Sequence, residues 1–287
     1  MTVFLPRENL FFLEEWLCYH LAIGFEHFYL YDNSGSRYLD GGNSLEVTGR
    51  NRRGEAVYHL LSDLTDAEVD RRLASLLAPY VRGGRVTHVR WQPRDATGQL
   101  TYGQAAAFMD YTRRFAGDTE WVCFTDIDEF VVPVRHPTVA AVLDVAEGAG
   151  VTYLVLPQKC FAPRFDEAGQ PIHRVTSITR SAGWVTADFG RKALIKANTL
   201  RVPWRKAKYS IHAPAVVERR TNRLLDPGLI RFNHYKFNRQ ELEWVADNRG
   251  HRLTLDEEDT TLVAMAGRVE EIRRTAADVS LRAPLEP

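Results

Sequence analysis

Residues 121–133 read WVCFTDIDEFVVP: an apolar run, two aspartates one residue apart, a glutamate and a second apolar run. Trp121, Val122, Cys123 and Phe124 follow one another without polar alternation, the pattern of a strand buried on both faces of a sheet. In an extended backbone residues i and i+2 project to the same side, so Asp126 and Asp128 face one ligand while Ile127 points into the core. Two hard carboxylates at the carboxyl end of a central strand suit Mn²⁺ or Mg²⁺, which completes its shell with water and phosphate oxygens. Ligands of open α/β sheets gather at that edge. Aspartates at strand ends also cap turns. Glu129 tips the balance towards a cation, because three acids within four residues of an apolar environment repel one another until positive charge offsets them.

Upstream of this stretch the chain alternates strand and helix. Residues 2–6 form an apolar strand, and a helix running to about Gly24 carries Leu13, Trp16, Leu17 and Leu21 at helical spacing. Phe28, Tyr29, Leu30 and Tyr31 make a second strand, ending in the turn cluster Asp32-Asn33-Ser34-Gly35-Ser36. Residues 41–54 are polar and aperiodic, an exposed loop. Val69, Leu73, Leu76, Leu77 and Tyr80 mark one face of a helix stopped by Gly83-Gly84, and residues 85–91 read as a strand. Ala105, Phe108, Met109, Thr112 and Phe115 mark a further helix that leads into the acidic strand. This alternation implies right-handed crossovers and a mostly parallel, Rossmann-like α/β sheet flanked by helices.

The second half changes character. A helix at 138–147 and a strand at 152–156 are followed by loop residues over 157–170. Short strands at 192–197, 209–213 and 229–232, separated by Pro and charged turns, read as a smaller antiparallel extension. Asn233-His234-Tyr235-Lys236 opens a helical segment through Trp244, and 262–272 forms one more helix. The chain of 287 residues is expected to be a single domain, with residues 1–135 as its nucleotide-binding half and 136–280 as the acceptor side.

Lys plus Arg and Asp plus Glu both number 37, so there is no overall basic field and a nucleic-acid partner is disfavoured. Cys18, Cys123 and Cys160 are widely spaced among apolar residues, which reads as buried free thiols in a reducing compartment. No apolar run approaches a membrane span and no signal-peptide core follows Met1, so a cytoplasmic location is expected. The basic, aromatic stretch 204–208 (Trp-Arg-Lys-Ala-Lys) suits peripheral contact with an anionic membrane surface. No Gly-x-Gly-x-x-Gly follows the first strand and no Gly-Lys-Ser/Thr loop occurs, so phosphates would depend on the metal.

The spaced set Glu14-Glu15-Trp16-Leu17 with Tyr19-His20, Gly24, His27 to Asn33, Asp126 to Phe130 and Asn233-His234-Tyr235 resembles glycosyltransferase family 92 and its relatives of the family 2 type. The resemblance implies the GT-A fold and transfer of a sugar from a nucleotide-sugar donor, a UDP-sugar, to a glycan, lipid-linked or protein acceptor. It implies metal ligands at Asp126, Asp128 and His234. It also implies donor contacts at Arg7, Glu8, Asp32, Asn33, Gln104, Asp126 and Ile127. Inversion needs a base to take the acceptor proton. Of the acids in the second half, Asp188, flanked by Trp184 and Phe189, suits a sugar-stacking pocket better than Asp166 or Glu167. Lys192 or Lys196 would add positive charge at the diphosphate. A sugar-phosphate nucleotidyltransferase would need a glycine-rich basic loop after the first strand, where this chain has Phe4-Leu5-Pro6-Arg7-Glu8. A haloacid-dehalogenase-like phosphatase would need Thr where Phe130 stands. A catalytically silent carbohydrate- or nucleotide-binding protein is the alternative from another class.

Overall fold

The computed structural model describes residues 1–5, 10, 12–35, 49–50, 56–57, 65–98, 100–101, 103–161, 175–181, 192–202, 214, 216, 228–235 and 257–282. Its strands are β1 (Thr2–Leu5), β2 (Phe28–Asp32), β3 (Gly49–Arg50), β4 (Ala56–Val57), β5 (Val86–Arg90), β6 (Trp121–Asp126) and β7 (Glu129–Pro133) in the first half. The second half adds β8 (Tyr153–Leu156), β9 (Gln158–Phe161), β10 (Arg180–Ser181), β11 (Lys192–Lys196), β12 (Ile230–Tyr235) and β13 (Glu257–Glu258). The α-helices are α1 (Leu13–Ala22), α2 (Asp66–Arg82), α3 (Gln104–Arg114), α4 (Val139–Gly148) and α5 (Ala266–Arg282).

A six-stranded sheet has the order β5-β2-β1-β6-β11-β8. The first-half strands β5, β2, β1 and β6 pair in parallel, whereas β11 runs antiparallel to both β6 and β8. The sheet is therefore mixed. Its continuous apolar runs have a direct cause, since successive side chains fill opposite layers. Val3, Leu5, Phe28, Leu30, Cys123 and Leu194 join α1, α2 and α5 in one core. Phe4, Tyr29, Tyr31, Val122, Phe124, Ala193 and Ile195 pack with α3 in the other. Cys18, Cys123 and Cys160 are buried and form no disulfide, as their apolar settings require.

The chain leaves this sheet after Asp126. β7 enters a second mixed sheet of order β13-β10-β9-β12-β7, in which β12 runs antiparallel to β7 and parallel to β9. Two expectations are corrected here. Residues 158–161 form a strand where a loop is predicted, and Asn233-His234-Tyr235 end a strand where a helix start is predicted. In both, polar side chains occupy buried faces, which hides the two-residue period. Arg231, Asn233 and Lys159 are all buried. Arg231 and Lys159 converge on Asp259, Lys159 at 2.8 Å, and Asn233 accepts from Arg231 and donates to the Tyr235 hydroxyl. β3, which pairs with β4 in a two-residue ladder, lies within the loop expected at 41–54. The strand expected at 209–213 lies outside the described residues, as does most of the loop expected at 41–54.

As an edge strand, β7 would leave backbone groups unpaired. Helix α1 supplies the partners. Trp16 Nε1 donates to the Glu129 carbonyl at 2.9 Å, and the Tyr19 hydroxyl donates to the Val131 carbonyl at 2.9 Å. His20 Nε2 accepts from the Val131 N–H at 3.1 Å, which leaves Nδ1 to donate to the Trp16 carbonyl at 2.8 Å. Glu15 accepts from the backbone N–H groups of Val175 and Thr176 and from the Thr176 hydroxyl. The motif Glu15-Trp16-x-x-Tyr19-His20 is thus a docking device that holds the acidic turn from behind.

His20 is fully buried, and burial lowers its pKa from 6.5 to about 3, the Trp16 carbonyl opposing in part. An unfolded imidazole protonates near ~6.5. Between that pH and the folded value the unfolded chain binds one more proton, so stability falls with falling pH, by up to about 1.4 kcal/mol per pH unit from this group. His20→Gln, which cannot titrate, should show a shallower decline. Urea unfolding midpoints measured from about pH 7 to about pH 4.5 check this, and parallel profiles for variant and wild type would exclude His20 as the source.

Candidate functional site

The acidic turn is closed by one carboxylate oxygen. Glu129 Oε2 accepts from the Asp126 N–H at 3.0 Å and the Thr125 hydroxyl at 3.2 Å, and it meets Lys192 Nζ at 2.9 Å. The same ammonium reaches Asp126 Oδ2 at 2.9 Å. Lys192 heads β11, and the antiparallel pairing of β11 with β6 carries it under the turn. The repulsion among the three acids is therefore relieved from inside the protein. Burial raises the Glu129 pKa, Lys192 opposes that rise, and Asp126 and Asp128 add to it. For Lys192 burial disfavours the charge, but Asp126 and Glu129 outweigh it and raise its pKa. Lys196 lies elsewhere, paired with Glu147 at 2.9 Å and over the Trp121 ring.

The other oxygen of Asp126, Oδ1, accepts from Gln104 Nε2. Gln104 opens α3 behind Gly103, whose φ of +61° favours glycine. A Cβ there would stand 2.7 Å from Pro93 Cγ, so glycine lets α3 start directly beneath the site. Ile127 is fully buried, as the alternation that places it in the core expects.

Asp128 belongs to a different set. Its backbone carbonyl accepts from the Tyr235 N–H at 2.9 Å, and its Oδ2 lies 3.1 Å from His234 Nε2. β12 lays His234 opposite Glu129 in the register, which brings it to Asp128, 106 residues away in sequence. His234 Nδ1 meets the Gln158 amide nitrogen at 2.6 Å. Gln158 was invisible as a site residue, since its strand follows Pro157 and begins with two polar residues.

Asp32 and Asn33 stand at the same sheet edge with internal partners. Asp32 Oδ1 accepts from the Ser34 N–H at 3.0 Å and hydroxyl at 2.6 Å, closing the turn, and Oδ2 meets His88 Nε2 at 3.0 Å. Burial works against the Asp32 charge, but the bonds from His88 and Ser34 prevail and lower its pKa. Of that pair His88 carries the open surface, with 31% of its side chain exposed against 5% for Asp32. Asn33 is fully buried, and its amide donates to the carbonyls of Trp91 at 2.9 Å and Thr101 at 3.2 Å. It ties the end of β2 to the loop after β5. Arg7, Glu8 and Asp188 lie outside the described residues, as do Trp184, Phe189 and residues 204–208.

Among the described residues no three His, Cys, Asp or Glu side chains are arranged to hold one ion. Asp128 and His234 nonetheless fit two places of one coordination shell. Bonds of about 2.1 Å meeting at right angles put adjacent donor atoms about 3 Å apart, close to the Asp128–His234 separation. Asp126 is the member committed elsewhere, to Gln104 and Lys192. A groove between α2 and α5, lined by Arg71, Arg72, Tyr80 and Arg273, contains none of these residues, and Glu14 and Glu68 line it beside its cations. Among the described residues no helix is long and apolar enough to cross a membrane.

No curated protein shows a significant match to the chain. A family model, glycosyltransferase family 92, matches residues 64–260, which include Gln104, the acidic turn, Gln158, Lys192 and His234. With well over half of its length matched, the chain belongs to glycosyltransferase family 92.

Proposed function

We propose that this glycosyltransferase uses a nucleotide-sugar donor, a UDP-sugar, in a divalent-metal-dependent, inverting transfer on a GT-A fold. The observation that carries the reading is the Asp128–His234 pair beside an Asp126 already oriented by Gln104 and Lys192 at the carboxyl end of β6. In the transfer the bond from the anomeric carbon to the donor phosphate breaks and its electron pair leaves with the diphosphate. A bond to the acceptor oxygen forms, and a base takes the acceptor proton. Asp128 and His234 would hold Mn²⁺ or Mg²⁺, which when bound offsets the charge of the leaving diphosphate. Lys192 holds one oxygen of Asp126 in place, and Gln104 fixes the second. The nucleoside lies over the ends of β1, β2 and β5, where His88 presents surface and Asp32 orients it. Asp188 is the candidate base on the acceptor side. The acceptor is a glycan, a lipid-linked species or a protein, and buried free thiols suit work in the cytoplasm.

The test is a mass-spectrometric screen of nucleotide sugars with Mn²⁺ and with chelator. UDP released from one donor only when Mn²⁺ is present is the expected result. Sugar transfer at an equal rate in chelator would remove the metal from the reading. Release of a different nucleotide would replace the donor class. His88→Ala should weaken UDP binding about 10-fold and leave Mn²⁺ binding unchanged. Equal UDP affinity in calorimetry would take the nucleoside away from β5.

A further inference from the structure

Gln158 touches His234 on the side away from Asp128. Its amide nitrogen lies 2.6 Å from Nδ1 and 3.3 Å from Cys160 Sγ. The register of β9 with β12 sets Gln158 opposite Phe232 and Cys160 opposite His234, so Gln158 and His234 are diagonal neighbours on one face. Gln158 is 7% exposed and buried on its strand. Glu129 Oε1 lies 4.0 Å from Nδ1, beyond hydrogen-bond reach.

A neutral imidazole has one N–H and one lone pair, and the partner at one nitrogen decides which the other presents. With the amide N–H donating to Nδ1, the ring proton sits on Nε2 and is donated to Asp128. In that state Nε2 has no lone pair for a cation. Presenting the lone pair moves the proton to Nδ1, and the partner there has to accept. A glutamine amide serves both states, because a half-turn of the amide exchanges its N–H for its carbonyl oxygen. Methionine serves neither, and glutamate only the second.

We propose that Gln158 is a positioning residue that selects the tautomer of His234, and so decides whether Nε2 offers Asp128 a proton or a cation a lone pair. The inference deepens the proposed function, and only its cation arm rests on that reading. Partners that orient a ligating histidine commonly change metal affinity by about 10- to 100-fold when removed.

The experiment has two arms. In the first, ¹⁵N-histidine NMR of cation-free protein is recorded at about pH 9, above the imidazole range. Wild type should show His234 with its proton on Nε2, Gln158→Glu should move it to Nδ1, and Gln158→Met should give a mixture. In the second, Mn²⁺ alone is titrated by electron paramagnetic resonance. Gln158→Met should bind about 10-fold more weakly or worse, and Gln158→Glu should bind at least as well as wild type. The same tautomer in all three proteins would overturn the proposal, as would wild-type Mn²⁺ affinity in Gln158→Met. Tautomers that follow residue 158 in a protein that does not bind Mn²⁺ would uphold it and sink the metal reading instead. Circular dichroism monitors folding; if Gln158→Met does not fold, Gln158→Glu, of equal size, decides the first arm alone.

Discussion

Asp128→Ala should reduce sugar transfer by about 10³-fold or more while the protein stays folded, because, on the function proposed above, it removes a ligand of the cation that would offset the charge of the leaving diphosphate. The fold is expected to survive because the turn is pinned without this side chain. The Asp128 carbonyl still accepts from the Tyr235 N–H, Trp16 still holds the Glu129 carbonyl, and Glu129 still caps the Asp126 N–H. Asp126→Asn should be milder, about 10- to 100-fold, since an amide keeps an oxygen for Lys192 but loses its charge. Steady-state kinetics with matched circular dichroism spectra separate the two. Transfer by Asp128→Ala within ~10-fold of wild type would remove that carboxylate from the reacting centre.

Lys192→Met should destabilise the protein more than either aspartate substitution. The ammonium, with 1% of its side chain exposed, lies 2.9 Å from both Asp126 and Glu129, and methionine would leave the buried Glu129 carboxylate facing the half-buried Asp126 with no cation between them. Breaking such a pair from one side costs about 3–5 kcal/mol, because the remaining charge has no partner. Adding Glu129→Gln removes the most buried of the stranded charges and should recover at least about 2 kcal/mol. Urea midpoints for both variants against wild type give the comparison. A loss of under about 1 kcal/mol in Lys192→Met would mean that water or a bound cation takes over the charge.

Much of the frame was written in local pattern. Apolar runs such as Phe28–Tyr31 and Trp121–Phe124 announce strands buried on both faces, and that is how the two cores divide them. Helix faces such as Val69, Leu73, Leu77 and Tyr80 follow the helical period and are buried accordingly. The motif around Trp16 was legible as a landmark, but its purpose was not, because three of its side chains act on the backbone of β7 more than 100 residues away.

The sequence by itself determined β1, β2, β5 and β6 with the helices α1, α2 and α3, the placing of Asp126 against Ile127, and the burial of the three thiols, since each depends only on neighbours along the chain. Tertiary structure alone decided which charges meet. Lys192 reaches Asp126 across 66 residues, Gln158 reaches His234 across 76, and His234 reaches Asp128 across 106. Each contact is created by strand pairing at long separation, the antiparallel β11 in the first sheet and β12 between β7 and β9 in the second. Pairing register depends on how whole faces pack, and a one-residue slip would turn His234 away from Asp128. No local spacing encodes that choice; the packed faces of two sheets do.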